Sequence, residues 1–441
     1  MNGESARVAF YFHRFPALTE TFHYREVCAV QRKGLGIVVF SAKPADSRFV
    51  PEEEWPPRLE VLYLPPLMSG QVLMATFRTA WRRPRVWAQV CEKLIRSRPT
   101  EGTWRHRLRP LGELLRGCYL AEWKRKAPAI RHVHAGFAGN EASVVWVASR
   151  FADVSFSFTS HSSRYEPLLA EKVRLAAFVV AISDYERARL RQVVDPTTAE
   201  RIIVCRYGVD PLVWRRSTLS GQGGDLEGGI ISVGSLVDKK GHRVLIEAVR
   251  LLADRGVSVE CCIVGDGPMR GRLDDLIVRL SVDDRVRLVG ALPTPEVRRE
   301  VERAMVFALP CVVSPTEGGD GIPVSLMEAM ALEKACVSTP VAGIPELVVD
   351  GQTGLLAREG DASSLADALE RLLEDRRLRA TLGAAARRIV ESEYNSEANA
   401  AILVRLFEQA VRAGMEMGRG DSQQSDNEAA TGRARADGEQ Q

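Results

Sequence analysis

Apolar residues gather in short β-branched and aromatic bursts, and between the bursts they recur at the three- and four-residue spacing of helices. In the first half the bursts are "RVAFYF", "GIVVFSA", "HVHAGFA", "SFSFTS", "FVVAIS" and "RIIVCRYG". In the second they are "GIISVGS", "VECCIVGDG", "RVRLVGAL", "VFALPC" and "KACVST". Strand followed by helix, repeated this often, predicts parallel sheets with helices on both faces. The segment "HRVLIEAVRLLADRG" shows the helical period well: Leu245, Ile246, Val249 and Leu252 fall on one stripe, and Gly256 ends it.

Punctuation divides the chain. "STLSGQGGDLEGG", Ser217 to Gly229, is glycine-rich and without apolar period, so it reads as a linker. The expected organisation is a first domain over 1–216, the linker 217–229, a second domain over 230–395, and a helix over 396–415 packing back on the first domain. A tail over 416–441 follows, too poor in apolar residues to offset the entropy of ordering, and is expected to be disordered. With 441 residues, two cores rather than one are expected.

Charge adds one feature. The net charge is +3, yet Gln71 to Arg131 carries 15 Lys/Arg against 4 Asp/Glu, so that segment stands at +11 and the rest at −8. The same segment holds Trp81, Trp87, Trp104 and Trp123, four of the seven tryptophans. Breaks at Pro84, Pro99 and Pro110 predict short helices in which Trp, Leu and Arg occur together. Solvated helices, a nucleic-acid surface and an anionic lipid surface all fit such a stretch. With no stacking platform or recognition-helix motif alongside, the lipid surface is favoured and nucleic acid is not expected as a partner.

Eight cysteines are scattered without a C-x-x-C pair, the start "MNGESARVAF" lacks a signal-peptide pattern, and no apolar run reaches the roughly 20 residues of a spanning helix. The expectation is a cytoplasmic protein with reduced thiols, possibilities beyond that being limited to peripheral contact with the inner face of the cell membrane. No D-x-D and no H-x-x-x-H occurs, so no metal site is expected.

The candidate chemistry lies at the carboxyl ends of the strands, where open α/β sheets bind ligands. His13, His134, His161, Ser183, Gly208, Gly234, Gly265 and Pro310 all fall at or just past such ends. The stretch "GGDGIPVSLMEAM", Gly318 to Met330, predicts a helix starting near Pro323 and approached through Gly318, Gly319 and Gly321. Free N–H groups and the positive end of the helix dipole there suit a phosphate. Asp320 and Glu328 on either side would repel phosphate but can accept hydrogen bonds from hydroxyls flanking it; a plainly capped helix is the alternative. "SVGSLVDKKGH" brings Lys239 and Lys240 to a strand exit, where a compact cation can neutralise phosphate, or be simply solvated. "VGDGPMRG" has G-x-G-x-x-x-G spacing and reads as a turn feeding the cleft rather than a dinucleotide fingerprint. "FPALTETF" offers Thr19, Glu20 and Thr21 either to an acceptor's hydroxyls or as a helix N-cap, and His134 and His161 stand beside or just past other strands.

Taken together these motifs resemble the retaining glycosyltransferases of family 4, particularly the exopolysaccharide (colanic-acid-like) type. The resemblance runs over roughly residues 7 to 410 and is carried by "FPALTETFHYREV", "HVHAGFA", "SFTSHSSRYE", "AISDYER", "CRYGVDPLVW", "SVGSLVDKKGH", "IVGDGPMR", "RVRLVGAL", "GGDGIPVSLMEAMALEKACVST", "AGIPELV" and "DGQTGLL". It implies the GT-B architecture: two doubly wound, Rossmann-like α/β domains facing a cleft, the second binding a UDP- or GDP-linked sugar and the first an acceptor.

By the resemblance, Glu328 grips the ribose, Asp320 faces the donor sugar, and amides around Gly321, Ile322, Pro323 and Val324 meet the diphosphate. Ser235 and Lys240 lie beside the phosphates, His161 is the active-site histidine, and Thr19, Glu20 and His134 are acceptor-side. The chain departs from the family pattern in having Asp320 for the usual glutamate, Ser235 for an arginine, and Arg164 for an aspartate after His161. The implied reaction is hexose transfer to a glycan or polyprenyl-diphosphate-linked acceptor in surface polysaccharide biosynthesis, with no cofactor and no metal. A catalytically silent scaffold of the same fold and a transferase for a small soluble acceptor are the alternatives.

Overall fold

The computed structural model describes residues 7–17, 20–45, 59–97, 104–161, 168–216, 228–315, 318–319 and 321–414. Two parallel sheets organise it. The first joins β1 (Arg7–Phe12), β2 (Gly36–Ser41), β3 (Glu60–Tyr63), β4 (Ile130–Ala135), β5 (Ser155–Ser160), β6 (Phe178–Ala181) and β7 (Ile202–Val204) in the order β3-β2-β1-β4-β5-β6-β7. The second joins β8 (Gly228–Val233), β9 (Cys261–Val264), β10 (Val286–Gly290), β11 (Ala304–Ala308), β12 (Ala335–Ser338) and β13 (Leu355–Leu356) in the order β10-β9-β8-β11-β12-β13. Strand order reverses beside β1 in one sheet and beside β8 in the other, which opens a crevice at each carboxyl edge.

The central strands that sequence bursts predict are buried, Val8 to Phe12 and Val38 to Phe40 being at most 1% exposed, while the edge strands β7 and β10 are only partly buried. Each sheet is covered on both faces, which explains why these strands read as apolar runs rather than alternations. Helix His242–Asp254 buries Val244, Leu245, Ile246, Ala248, Val249 and Leu252 against the second sheet. Gly256 follows it at φ +79.

Helix 396–414 crosses back to the first sheet, where Phe407 packs on Phe10, His134 and Phe178 at 5.3–5.6 Å between ring centres. The linker at 217–227 and the tail beyond 414 lie outside the described residues; β8 begins at Gly228, two residues before the expected start of the second domain.

The basic segment departs from expectation at Pro110. Pro84 starts helix Pro84–Arg96, but Pro110 sits inside one long helix, Trp104–Lys126. The bond lost at Pro110 is outweighed downstream, where Leu114, Leu115, Cys118, Leu120 and Ala121 are buried. Gly117 lets this helix close on helix Asn140–Phe151: a Cβ there would come within 2.5 Å of Val147. Pro99 lies outside the described residues. All eight cysteines are free thiols, and none of the described helices is long and apolar enough to cross a membrane.

Candidate active site

Helix Val324–Ala331 begins after Pro323, whose extended backbone (φ −61, ψ 127) turns the chain into the first turn, and among the described residues no side chain caps it. Its N-terminal amides therefore point at the space beyond the second sheet's carboxyl edge. Pro323 is the N-cap rather than the first helical residue, a shift of one position from the sequence expectation.

The approach loop is pressed against the first domain. A Cβ on Gly321 would lie 2.7 Å from Ile182 Cδ1 and 3.9 Å from the His161 carbonyl oxygen, and one on Gly343 would lie 2.9 Å from Ile322 and 3.0 Å from Ser183. A side chain at either position would push Ile182, Ile322 or Ser183 aside, so the two strand exits approach each other most closely where the chain carries glycine. Ile322 is buried.

Lys240 ends the 3-10 turn Asp238–Lys240 at the exit of β8. Gly241 follows at φ +69, and a Cβ there would meet the Pro310 carbonyl at 1.8 Å, so the lysine turn must touch the exit of β11. Val312 N–H donates to the Lys239 carbonyl (3.0 Å), fixing the same junction. The Lys240 aliphatic chain lies along Gly234, 3.4 Å from where its Cβ would be, with Ser235 next to it. Beneath, His242 is held down to about 4, first by burial and then by the Lys240 charge, and stays neutral.

Glu328, on the second turn of its helix, is 9% exposed and accepts a 2.6 Å bond from Arg25 of helix Thr21–Arg32 in the other domain. The Arg25 guanidinium also lies 5.6 Å over the Trp214 ring.

In the first domain His161 directly follows β5, and its Nε2 donates to the Gly136 carbonyl at 3.1 Å, with the Tyr207 hydroxyl at 3.2 Å. Phe22, His23, Phe137 and Tyr207 surround the ring at 4.5–5.8 Å. Burial holds His23 well below the ordinary histidine range and Tyr207 well above the ordinary tyrosine range, so both are neutral.

Glu20 stands at the N-cap of helix Thr21–Arg32 but makes no capping bond. Partial burial raises it to about 7, against the pull of Arg14. Beside it Glu141 is buried and accepts the His13 N–H at 2.6 Å. Burial, and secondarily the charge of Glu20, lift Glu141 well above the carboxylate range.

His134 requires a correction. It is fully buried inside β4 rather than at the cleft, bonded to Ser157 (2.7 Å) and Thr159 (3.0 Å) of β5. His132 makes the same pattern one step back, on Ser155 and Ser157. These imidazoles rung the sheet face under helix 396–414, and they reach no acceptor. Thr19, Arg164 and Asp320 lie outside the described residues. Among the described residues no cluster of His, Cys, Asp or Glu could hold a metal ion.

Two participants are absent from the sequence reading: Arg25 and Glu346. Glu346, from "AGIPELV", accepts the Asp184 and Tyr185 N–H groups at 2.9 and 2.7 Å and pairs with Arg206 at 2.9 Å. It therefore fills, from the second domain, the N-terminus of helix Asp184–Arg191 in the first. Both residues act across domains, and sequence spacing carries no signal for that.

Two facing Rossmann-like domains, with an amide-lined helix start and a lysine turn at the cleft, define a GT-B fold. Solved structures agree on the fold. A sucrose-phosphate synthase from Thermosynechococcus elongatus superposes with TM-score 0.70 at 19% identity, over 92% of this chain and 99% of that one. The Anabaena protein HepE in complex with UDP-glucose superposes with TM-score 0.65 at 18% identity, over 91% and 99%.

Residues 227–389, which make up most of the second domain, match the family model described as Glycosyl transferases group 1. The amylovoran biosynthesis glycosyltransferase AmsK of Erwinia amylovora is 39% identical over 197 residues, 45% of this chain and 48% of the relative. The protein named as colanic acid biosynthesis glycosyltransferase WcaL of Escherichia coli is 36% identical over 252 residues, 57% and 61%. The matched stretches thus span about half to three-fifths of these relatives' own lengths.

Proposed function

We propose that the chain is a retaining glycosyltransferase that moves a hexose from a nucleotide-diphosphate sugar to a glycan or lipid-linked acceptor of a surface polysaccharide. The observation that carries this reading is the start of helix Val324–Ala331, without a side-chain cap among the described residues and packed through Gly321 against the His161 strand exit. The junction that holds the Lys240 turn to the exit of β11 belongs to the same carboxyl edge. The names of AmsK and WcaL support the polysaccharide context, and the UDP-glucose complex of HepE supports the donor class.

As the sugar–oxygen bond breaks, negative charge grows on the leaving diphosphate. Helix amides and the Lys240 ammonium stabilise that charge more than they stabilise the bound donor, which is the condition for acceleration. Glu328 accepts the ribose hydroxyls and Asp320 those of the sugar. In a retaining transfer the departing phosphate is on the face the acceptor attacks, and it takes the acceptor's proton; no protein nucleophile is assigned. No metal is assigned, because protein cations and amides fill that role.

A membrane location for the acceptor is supported by helix Gly70–Arg82. It buries Val72, Ala75 and Thr79 inward yet exposes Met74, Phe77 and Trp81 at 50%, 62% and 78% on the outer side. Exposed apolar side chains among Arg78, Arg82 and Arg83 suit an anionic lipid surface.

The test is calorimetric titration with UDP, GDP and their sugars, followed by transfer assays with soluble and polyprenyl-linked acceptors. Binding of one nucleotide in the micromolar range is expected, with Lys240→Met lowering kcat about 10²-fold or more. Failure of the wild-type protein to bind any nucleotide would overturn the reading.

A further inference from the structure

Glu328 is a carboxylate almost wholly removed from water, and burying one without a cation is costly. The cation it has comes from the opposite domain: Arg25 Nη2 donates to Glu328 Oε1 at 2.6 Å, with both side chains only 10% and 12% exposed. Arg25 is itself held. Its guanidinium lies over Trp214, which is buried beneath it. Its helix is anchored at the far end by Arg32 and Lys33 on Glu397, at 2.7 and 3.1 Å.

A planar guanidinium fixed in this way holds the carboxylate it grips in one rotamer. A hydroxyl donor arriving at Glu328 then meets an oriented acceptor that needs no reorganisation.

The geometry points to Arg25 as a positioning residue for nucleotide recognition: the acceptor domain, through Arg25, sets the carboxylate by which the donor domain reads the ribose. This rests on the functional reading above and adds to it that the donor site is complete only when Arg25 is in contact with Glu328. Arg25 would thereby make nucleotide affinity depend on how the two domains are set against each other.

The consequence is selective, because only ligands with a ribose use Glu328. Arg25→Met and Arg25→Lys, with the wild-type full-length chain, would be titrated with the nucleoside diphosphate that the wild type binds and with inorganic pyrophosphate, which lacks ribose. The expected result is about tenfold weaker nucleotide binding in Arg25→Met, partial recovery in Arg25→Lys, and pyrophosphate affinity unchanged in both. In Glu328→Gln the further change Arg25→Met should have little additional effect on nucleotide binding.

Nucleotide bound as tightly or more tightly by Arg25→Met would overturn the assignment. So would a parallel loss of pyrophosphate, which would mark a general distortion of the cleft. Thermal melts of each variant establish that it folds, and Arg25→Lys keeps the test open should Arg25→Met not fold. Wild-type protein that binds pyrophosphate but no nucleotide fails the functional reading itself, an outcome distinct from wild-type binding that Arg25 variants leave untouched.

Discussion

Glu328 and Glu141 are both carboxylates taken out of water, and their surroundings treat them in opposite ways. Glu328 receives a guanidinium; Glu141 receives backbone N–H groups and the neighbourhood of another acid. Glu141 therefore keeps its proton well above the ordinary range, and its Oε2 finds no hydrogen-bond partner among the described residues. An acid whose folded form holds a proton that its unfolded form releases near pH 4.5 contributes stability below that pH and loses it as pH rises through the folded value. Glu20, raised to about 7, acts with the same sign. Glu141→Gln keeps an acceptor for the His13 N–H and removes the titration. Its melting temperature should fall less than the wild type's between pH 5 and pH 8, by a few degrees, about 2–4 °C. Equal slopes in a calorimetric series would show that Glu141 is ionised in the folded protein.

At the scale of single elements, helix Gly70–Arg82 and strand β4 show that apolar pattern and location are separate matters. The helix puts apolar residues on two sides. One stripe packs inward, while the other, with Phe77 and Trp81 stacked at 6.2 Å, faces solvent. Its Arg78 and Arg82 are partly neutralised, since they share Glu122 with Arg125 of helix Trp104–Lys126, but one carboxylate cannot balance three guanidinium groups. The double variant Phe77→Glu/Trp81→Glu should reduce co-sedimentation with phosphatidylglycerol vesicles about tenfold or more at moderate salt. Binding to zwitterionic vesicles should be weak for both proteins. Undiminished binding by the variant would remove the helix from the membrane assignment. Strand β4 teaches the converse: "HVHA" looks equipped for chemistry, yet His132 and His134 spend their polar atoms on Ser155, Ser157 and Thr159 within the sheet. Burial takes His132 down to about 3, as befits a satisfied core imidazole.

Across the whole molecule the two domains are fastened by ties of different chemistry. Arg25 reaches from the first domain to Glu328, and Glu346 reaches from the second to the amides of Asp184 and Tyr185 and to Arg206. Arg387 adds a third tie, donating to the carbonyls of Pro211, Trp214 and Ala331 and so binding the segment after β7 to the second domain. Glu346→Ala would leave two helix amides without their acceptor and Arg206 with one carboxylate partner fewer, Asp184 staying at 2.7 Å, at a cost of about 1–3 kcal/mol. The expected outcome is a lower urea midpoint and a larger radius of gyration in solution scattering, with each domain still folded. Unchanged values in both measurements would mean that Glu346 does not hold the domains together.

The fold was legible because its causes are local. Strand bursts such as "RVAFYF" and the stripe of helix His242–Asp254 follow from side-chain period, and a doubly covered parallel sheet writes itself as unbroken apolar runs. The helix start after Pro323 and the turn before Gly241 were legible for the same reason, since each depends on what a glycine or proline permits to its neighbours. Pro110 was not, because packing tens of residues away outweighed a local rule. Nor was the fate of His134, which depends on which strand lies beside β4. The amino-acid sequence alone determined the elements, the two domains and the chemical groups available at the strand ends. Only the tertiary structure decided which groups meet, that Arg25 faces Glu328 and that Glu346 caps a helix in the other domain, because those contacts join residues hundreds of positions apart and no spacing in the chain encodes them.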